Sequence, residues 1–224
     1  MQQDQSETSH TANSGTITLI LGGVRSGKSR FGEQLAHELG GDSVLFAATA
    51  EARDEEMLGR IQKHRLSRPE AWQTLEQPLH VGKVLESVSP LPKVLLLDCL
   101  TLLVSNVLCS VEWEPSTSTK LSPSQFDLVQ QLVDQEIDAI LRFAQEHPAH
   151  LIIVSGEVGL GLVPDNALGR AFRDLLGWTN QKIAEQATAT YFMLAGFPIE
   201  LNSIASTIQD AASVLRSRLG RTVR

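Results

Sequence analysis

The stretch Thr16–Ser29, TITLILGGVRSGKS, decides the fold. Its first part, Thr16–Leu21, is a continuous run of apolar and β-branched residues, which is typical of a strand covered on both faces. Directly after it, Gly22–Ser29 satisfies the pattern GxxxxGK[ST] of a phosphate-binding loop. The following segment, Ser29–Leu39, has apolar residues at four-residue steps and predicts an amphipathic helix. A strand before this motif and a helix after it are the context that nucleotide binding requires.

The residue types of this loop suit a polyphosphate ligand. Gly22 and Gly27 permit backbone conformations that aim successive N–H groups at phosphate oxygens. Lys28 supplies a positive charge to the β- and γ-phosphates, and the Ser29 hydroxyl is a ligand for Mg²⁺. The positive end of the following helix also attracts an anion. The predicted nucleotide-binding residues of the loop are Gly22, Gly23, Val24, Arg25, Ser26, Gly27, Lys28 and Ser29.

Strand-like and helix-like segments alternate along the rest of the chain. Further strands are predicted at Ser43–Thr49, Val94–Asp98, His150–Ser155 and Ala189–Ala195. Helices are predicted at Asp54–Leu66, at Gln125–Glu146 and in a segment opened by Pro164. This alternation predicts an α/β fold of the P-loop NTPase type, with a mainly parallel sheet flanked by helices. Ligands of such sheets bind at the carboxyl ends of the strands.

The domain organisation follows from where these patterns begin. Residues 1–15 are almost wholly polar and have no apolar periodicity, so we expect a disordered tail there. Residues 16–224 are predicted to form a single domain. The Ser/Thr/Pro-rich segment Ser110–Ser124 interrupts the pattern, which resumes after it, and is therefore interpreted as a surface loop.

Composition excludes several classes of protein. The 224 residues carry 19 lysines and arginines against 26 acidic residues, a net charge of −7, which disfavours a nucleic-acid partner. The longest apolar run, Val94–Leu108, contains Asp98 and Asn106 and is too short for a membrane span. The two cysteines, Cys99 and Cys109, are interpreted as buried thiols rather than a disulfide framework, and a cytoplasmic protein is expected.

A second element of a phosphate site is an acidic residue at the end of a buried strand. Asp98 occupies that position and is predicted to hold Mg²⁺ or its water shell. A helix-capping aspartate is compatible with the same position. Among nucleotide-binding classes, a regulatory GTPase is disfavoured because the chain has no Asn-Lys-x-Asp motif. A DNA motor is disfavoured by charge and size, which leaves a small-molecule kinase or a nucleotidyl transferase.

Four ordered motifs make the comparison specific. They are GGVRSGKSRFGEQLA, ATAEARDEEMLGRIQKHRLSRPEAWQTLE, LLLDCLTLLVSNVL and SGEVGLGLVPDNALGRAFRDLLGWTNQKIAEQA. Together they resemble the bifunctional adenosylcobinamide kinase/adenosylcobinamide-phosphate guanylyltransferase family, over a range from about Thr16 to Asn202. Generic P-loop kinases lack three of the four.

The resemblance implies two activities in one chain. Such an enzyme phosphorylates adenosylcobinamide with ATP or GTP in the presence of Mg²⁺, and then transfers GMP from GTP to the product, releasing pyrophosphate. It implies that His64, in the segment Arg60–His64, is the guanylylated nucleophile. It also implies homo-oligomers, often trimers. Further nucleotide contacts implied by the motifs are Ala48, Thr49, Ala50, Arg65, Leu66, Ser67, Arg68, Glu76 and Asp98.

Several of these residues have alternative roles when the sequence alone is considered. His64 has the spacing of an ordinary helix-surface or structural histidine, and a single-function P-loop kinase is the alternative to the bifunctional enzyme. Glu76 suits the N–H donors of guanine but is also typical of an exposed loop acid. Arg170 and Arg173 lie one helical turn apart, and are suited either to a phosphate or to a solvated helix face. Gly156 stands where the resembled family has Asn.

Overall fold

A computed structural model describes residues 15–51, 55, 58, 59, 62, 65, 68–112 and 122–219. The tail expected over residues 1–15 lies outside this part of the chain, apart from Gly15. The helix predicted at Asp54–Leu66 falls largely outside it, although the five residues of that segment that are described are helical.

One seven-stranded sheet organises the molecule. Its strands are β1 (Ile17–Gly22), β2 (Val44–Ala48), β3 (Gln73–Glu76), β4 (Val94–Asp98), β5 (His150–Val154), β6 (Ala189–Leu194) and β7 (Phe197–Glu200). The strand order is β3-β2-β4-β5-β1-β6-β7. Every neighbouring pair is parallel except β6 with β7, which is antiparallel. The predicted α/β class with a mainly parallel sheet is confirmed.

Helices cover both faces of the sheet, as a parallel sheet requires. They are α1 (Lys28–Gly40), α2 (Val81–Leu85), α3 (Leu100–Ser110), α4 (Pro123–Glu146), α5 (Ala167–Gln186) and α6 (Ile208–Leu219). On one face, the larger core joins residues of α2 to α5 to the sheet. On the other face, the smaller core contains Ala36 of α1, Phe46 and Trp72. Leu95, Leu96 and Leu97 of β4 are fully buried, since alternate side chains enter the two cores.

The register of the sheet places the strand ends that matter side by side. Ala48 of β2 pairs with Asp98 of β4, and Asp98 pairs in turn with Val154 of β5. The turn after β1 begins at Gly22. The carboxyl ends of these strands therefore form one edge, and the predicted nucleotide-binding residues from separate parts of the chain meet there.

Two expectations about local structure are corrected. The helix predicted to open at Pro164 begins at Ala167, because the Asn166 side chain accepts a hydrogen bond from Gly169 N–H and caps the helix there. Cys109 is exposed rather than buried, and both cysteines are free thiols. Within the described residues, no helix is long and apolar enough to cross a membrane.

Candidate active site

The loop between β1 and α1 has the backbone that its glycines allow. Gly27 has φ 98° and precedes α1, and Gly22 has φ 149°. A Cβ on Gly22 would lie 2.6 Å from the carbonyl oxygen of Met193, so a side chain is excluded there. The Lys28 ammonium donates across the loop to the carbonyl oxygen of Gly23 at 2.7 Å. The Lys28 side chain therefore lies back across the loop, next to the residues that the sequence predicts to bind phosphate.

A cavity of about 430 Å³ opens at this edge of the sheet. Its size and position agree with the binding sites of open α/β sheets. Those of its lining residues that the sequence predicts are Gly22, Val24, Arg25, Lys28, Ser29, Ala48, Ala50, Arg68, Glu76 and Asp98. It is also lined by Phe46, Cys99, Thr101, Leu102, Val154, Gly156, Glu157 and Val158, which the sequence analysis did not single out as ligand contacts.

Charge within the cavity is arranged around Lys28 and Asp98. Burial lowers the pKa of Lys28 from its ordinary value, while the negative charge of Asp98 opposes that shift. Burial, together with the Asp98 charge, raises the pKa of the Cys99 thiol to about 11. Cys99 is therefore a neutral thiol near pH 7 and not a nucleophile. Lys28 and Arg25 are the basic residues that the loop brings to the cavity.

Arg68 also lines the cavity. Its guanidinium carbon lies 3.5 Å from the centre of the Phe46 ring, which is a cation–π contact. Burial lowers the pKa of Arg68, and the carboxylates of Glu33, Asp98 and Glu76 oppose this. Its Nε and Nη1 atoms are buried and have no hydrogen-bond partner among the described residues. Two donors are thus available to an anionic ligand in the cavity.

Glu76 lies at the end of β3 and is paired with Arg65. The Arg65 Nε donates to Glu76 Oε1 at 2.5 Å, and Nη2 contacts the same oxygen. Both side chains are about half exposed, at 54% and 42%. A pair this exposed contributes on the order of 0–1 kcal/mol, so a ligand with good donors can displace it.

Hydrogen bonds between neighbouring strand ends hold this edge together. The Thr49 hydroxyl donates to the carbonyl oxygen of Cys99 at 2.7 Å and accepts from Cys99 N–H at 3.0 Å. The Asn106 amide donates to the carbonyl oxygens of Thr49 and Pro78, at 2.8 and 3.1 Å. Thr49 is fully buried and does not line the cavity. The structure therefore places it where it fixes the backbone beside Asp98.

The remaining predicted residues divide into two groups. Gly23, Ser26 and Gly27 belong to the loop but do not line the cavity, and Arg65 reaches it through Glu76. His64, Leu66 and Ser67 lie outside the described residues.

Arg170 and Arg173 have a role that the sequence left open. Arg173 Nη2 donates to the carbonyl oxygen of Gly159 at 2.9 Å. Arg170 Nη1 donates to the carbonyl oxygens of Pro164 and Asp165, at 3.0 and 2.8 Å. Both arginines therefore hold the loop between β5 and α5, here called the 156–165 loop. Every residue has a backbone carbonyl, so the sequence does not indicate which ones the two arginines bind. These contacts are visible only in the structure.

The fold and this site define a class of protein. A mainly parallel sheet, a GxxxxGKS loop after its first strand and an acidic strand end across the same cavity are the features of P-loop nucleotide-binding proteins. Within that class, the family model described as cobinamide kinase / cobinamide phosphate guanyltransferase matches residues 18–201. The chain belongs to this family of bifunctional cobalamin-biosynthesis enzymes.

Curated relatives agree with that assignment. The chain is 42% identical over 183 residues to the bifunctional adenosylcobalamin biosynthesis protein CobP of Pseudomonas aeruginosa, covering 82% of this chain and 95% of the relative. It is 35% identical over 189 residues to the bifunctional adenosylcobalamin biosynthesis protein CobU of Escherichia coli K12, covering 83% and 99%. The protein of the same name from Salmonella typhimurium is 35% identical over 187 residues, again covering 83% and 99%. The predicted family and enzyme class are confirmed, while the roles of single residues stay predictions.

Proposed function

We propose that this chain phosphorylates adenosylcobinamide with a nucleoside triphosphate and then transfers GMP from GTP to the product through a guanylyl-His64 intermediate. One observation carries the proposal. A single cavity combines Lys28 and Ser29 of the phosphate-binding loop with Arg68 and Glu76. The loop after β1 suits a triphosphate, and Glu76, at the end of the distant strand β3, offers the carboxylate that a guanine base would select.

The kinase step depends on positioning and charge. Lys28 and the loop N–H groups hold the β- and γ-phosphates, while an acceptor hydroxyl approaches the γ-phosphorus in line. The hydroxyl oxygen bonds to the γ-phosphorus and releases its proton to solvent, the bond to the β,γ-bridging oxygen breaks, and the nucleoside diphosphate leaves. No covalent enzyme intermediate is needed for this step.

The transferase step requires a nucleophile on the protein. A neutral His64 ring nitrogen bonds to the α-phosphorus of GTP, the α–β bridge breaks and pyrophosphate leaves. A phosphate oxygen of adenosylcobinamide phosphate then attacks that phosphorus, and the P–N bond breaks to restore the imidazole. The support is local. Arg65, the next residue along the chain, contacts Glu76 of the cavity wall.

Guanine is the base that the Glu76 carboxylate favours. Guanine presents the N1–H and exocyclic amine donors, whereas adenine presents an unprotonated N1 to the same carboxylate. Because the Arg65–Glu76 pair is half exposed and weak, the base donors can replace or share it. The freed Arg65 guanidinium would then be available to the phosphates.

Mg²⁺ is proposed as the metal of both steps. The Ser29 hydroxyl and the Asp98 carboxylate line the same cavity, and both are the hard oxygen donors that Mg²⁺ prefers. These two residues would hold the ion, directly or through water. A bound ion supplies charge neutralisation to the phosphate oxygens.

A homo-oligomer, with a trimer as the specific form, is also proposed. Phe197 and Ile199 of the edge strand β7 are 72% and 36% exposed, and Leu194 beside them is 59% exposed. Exposed apolar side chains on an unpaired sheet edge are typical of a protein–protein contact.

The expectation of a cytoplasmic enzyme stays a prediction.

The test is incubation with α-labelled GTP and Mg²⁺ without corrinoid. We expect one acid-labile, base-stable label per active chain, mapping to His64. The His64→Ala variant is expected to lose the label while it still converts adenosylcobinamide to its phosphate at a measurable rate. His37→Ala, a change at an exposed histidine of α1, serves as the matched control and is expected to label normally.

An unlabelled wild-type enzyme with kinase activity would instead identify a single-function P-loop kinase in which His64 is structural. A label that maps to another residue would overturn the assignment of His64 but not the transferase activity.

A further inference from the structure

The 156–165 loop carries aliphatic side chains that point into solvent. Leu160 is 83% exposed, Leu162 96% and Val163 68%. Three such side chains within four residues are unusual, because each loses the free energy of burial that drives folding. The phosphate-binding loop carries a fourth, Val24, at 93% exposure.

Hydrogen bonds hold the 156–165 loop in this conformation. At its start, Gly156 N–H donates to the Thr101 hydroxyl at 2.6 Å, and the Asn180 amide donates to the carbonyl oxygen of Gly156 at 3.1 Å. Its middle and end are held by Arg173 and Arg170, as described above. The leucines are therefore exposed on a loop whose backbone is held in place by hydrogen bonds.

The exposed aliphatic residues adjoin the nucleotide cavity. Glu157 N–H donates to the carbonyl oxygen of Gly22 at 3.1 Å, so this loop and the phosphate-binding loop meet. Val24 and Val158 both line the cavity. Leu160 is two residues beyond Val158, at most about 7 Å along the chain. Val24, Leu160, Leu162 and Val163 are here called the apolar rim.

The position of the apolar rim beside the cavity indicates which part of a substrate lies against it. The acceptor hydroxyl must reach the γ-phosphate beside Lys28, so the rest of the acceptor extends out of the cavity past its edge. A macrocycle that is edged with methyl groups and amide arms is too large for the 430 Å³ cavity once a nucleotide is in it. It needs an external apolar surface, and the rim provides one.

We propose that the apolar rim is the docking surface for the corrin ring of the acceptor. This inference rests on the proposed function, because that function supplies the acceptor. The ring's methyl edge packs on Leu160, Leu162 and Val163, and its aminopropanol arm passes Val24 to reach the phosphate-binding loop. Of the four rim residues only Val24 lines the nucleotide cavity, so the corrin ring and the nucleotide occupy different parts of the site.

The test is the double variant Leu160→Ser/Leu162→Ser, assayed as a kinase at varied adenosylcobinamide and fixed, saturating nucleotide. Both leucines are exposed, so we expect the folded state to be retained. The KM for adenosylcobinamide is expected to rise at least about tenfold, since two apolar contacts are lost. The KM for the nucleotide and the labelling by α-labelled GTP without corrinoid are expected to stay within about twofold. Equilibrium dialysis, which uses the visible absorbance of cobinamide, measures the loss of binding directly.

Leu39→Ser/Leu91→Ser is the matched control. These leucines are 49% and 47% exposed. Leu39 lies in the last turn of α1 and Leu91 just before β4, both at the amino-terminal ends of the strands and away from the cavity. An unchanged KM for adenosylcobinamide in the rim variant, or an equal change in the control, would overturn the proposal. A loss of oligomeric state in the rim variant by sedimentation would also overturn it, because the rim would then be a contact between copies. A missing GMP label in the wild type affects only the proposed function, since the corrinoid KM is measured in the kinase reaction.

Discussion

Lys28 lies where burial and charge act in opposite directions. Desolvation lowers its pKa, and the negative charge of Asp98 opposes that shift. Its hydrogen bond to Gly23 keeps it in the loop before a phosphate arrives. We expect Lys28→Ala to reduce both phosphoryl transfer and GMP labelling by at least about 10²-fold, because the cation of the loop is lost from the transition state.

Steady-state kinase assays and α-labelled GTP check this prediction. The exposed Lys93→Ala variant is the control, and both variants are expected to keep the wild-type unfolding midpoint. Full activity of Lys28→Ala with unchanged nucleotide affinity would show that the loop does not bind the triphosphate.

Glu76 is the residue on which base selection depends in this site. Replacing it with Gln keeps one acceptor oxygen but removes the negative charge and adds an N–H₂ donor. We expect the preference for GTP over ATP in covalent labelling to fall by about tenfold, since a charged acceptor contributes about 1.5–3 kcal/mol to a hydrogen bond. Competition labelling with the two nucleotides measures this ratio.

Glu70→Gln is the matched control for Glu76. Glu70 and Glu76 both line the groove beside Arg65 and Arg68, but only Glu76 also lines the nucleotide cavity. The same loss of preference in both variants would point to a general effect of charge. Equal labelling of the wild type by ATP and GTP would remove the reason for assigning selection to Glu76.

Among single residues, the sequence predicts those whose chemistry is tied to a short motif. Lys28, Ser29 and Asp98 are found because a phosphate loop and an acidic strand end have recognisable spacings. Phe46 is not found, because nothing in its own strand indicates that a guanidinium 22 positions later stacks on its ring. The nucleotide contact of Thr49 stays a prediction, and its side-chain hydrogen bond to the backbone of Cys99, just after β4, has no signal in the sequence.

The secondary-structure elements show the same division. The five strands predicted from apolar runs all exist, because residues buried on both faces leave a continuous signal. The edge strands β3 and β7 were not predicted. Three of the four residues of β3 and all four of β7 are exposed, and β7 also contains Pro198. Each of these strands pairs with one neighbouring strand and buries few side chains in a core. Their composition therefore resembles that of loops.

Helix α3 was not predicted because of its neighbour. Leu100–Ser110 follows β4 almost directly and is apolar on most of its surface, so the two elements form one long apolar run. A helix that is buried on nearly all sides lacks the period that distinguishes a surface helix.

The hydrogen bonds between β2 and β4 give a prediction about elements. In Thr49→Val the shape is kept, but Cys99 N–H loses its partner and the Cys99 carbonyl oxygen keeps only the N–H of Leu103. We expect the free energy of unfolding to fall by about 1–3 kcal/mol, the cost of buried unsatisfied groups. Kinase activity is expected to fall as well, because Cys99 adjoins Asp98. Urea denaturation measures the first effect.

Thr188→Val, a change at an exposed threonine, is the control and is expected to be nearly neutral. A Thr49→Val variant as stable as the wild type would show that water or a backbone shift satisfies the two groups.

At the scale of the whole molecule, one histidine far from the cavity makes the free energy of unfolding depend on pH. His150 is the first residue of β5 and lies at the amino-terminal ends of the strands, away from the cavity. Its ring nitrogens contact the hydroxyls of Thr16 and Thr18. Burial lowers the pKa of His150 from its ordinary value near 6.5. The unfolded chain therefore takes up that proton at a higher pH than the folded chain, and the free energy of unfolding falls as the pH drops below about 6.5.

The His150→Gln variant is expected to lose this component. Its urea midpoint should change less between pH 7 and pH 5 than that of the wild type, whatever its stability at pH 7. His37→Gln is expected to keep the wild-type dependence. Identical pH dependences for the wild type and His150→Gln would show that other groups account for acid sensitivity.

Two activities in one chain raise the question of how many nucleotide sites it uses. The sequence contains GxxxxGK[ST] once, and the described residues bring Lys28, Arg68 and Glu76 to one cavity. If both donors bind there, a β,γ-methylene analogue of ATP, which cannot donate its γ-phosphoryl group or supply GMP, blocks both steps from the same position. We expect it to compete with the donor in the kinase assay and with GTP in the labelling assay, with inhibition constants that agree within about twofold. Constants that differ by more than about tenfold, or inhibition of labelling that excess GTP does not relieve, would require a second nucleotide site. The exposed Lys93→Ala variant is the control and is expected to show the wild-type inhibition constant in both assays, because it leaves the shared phosphate contact intact.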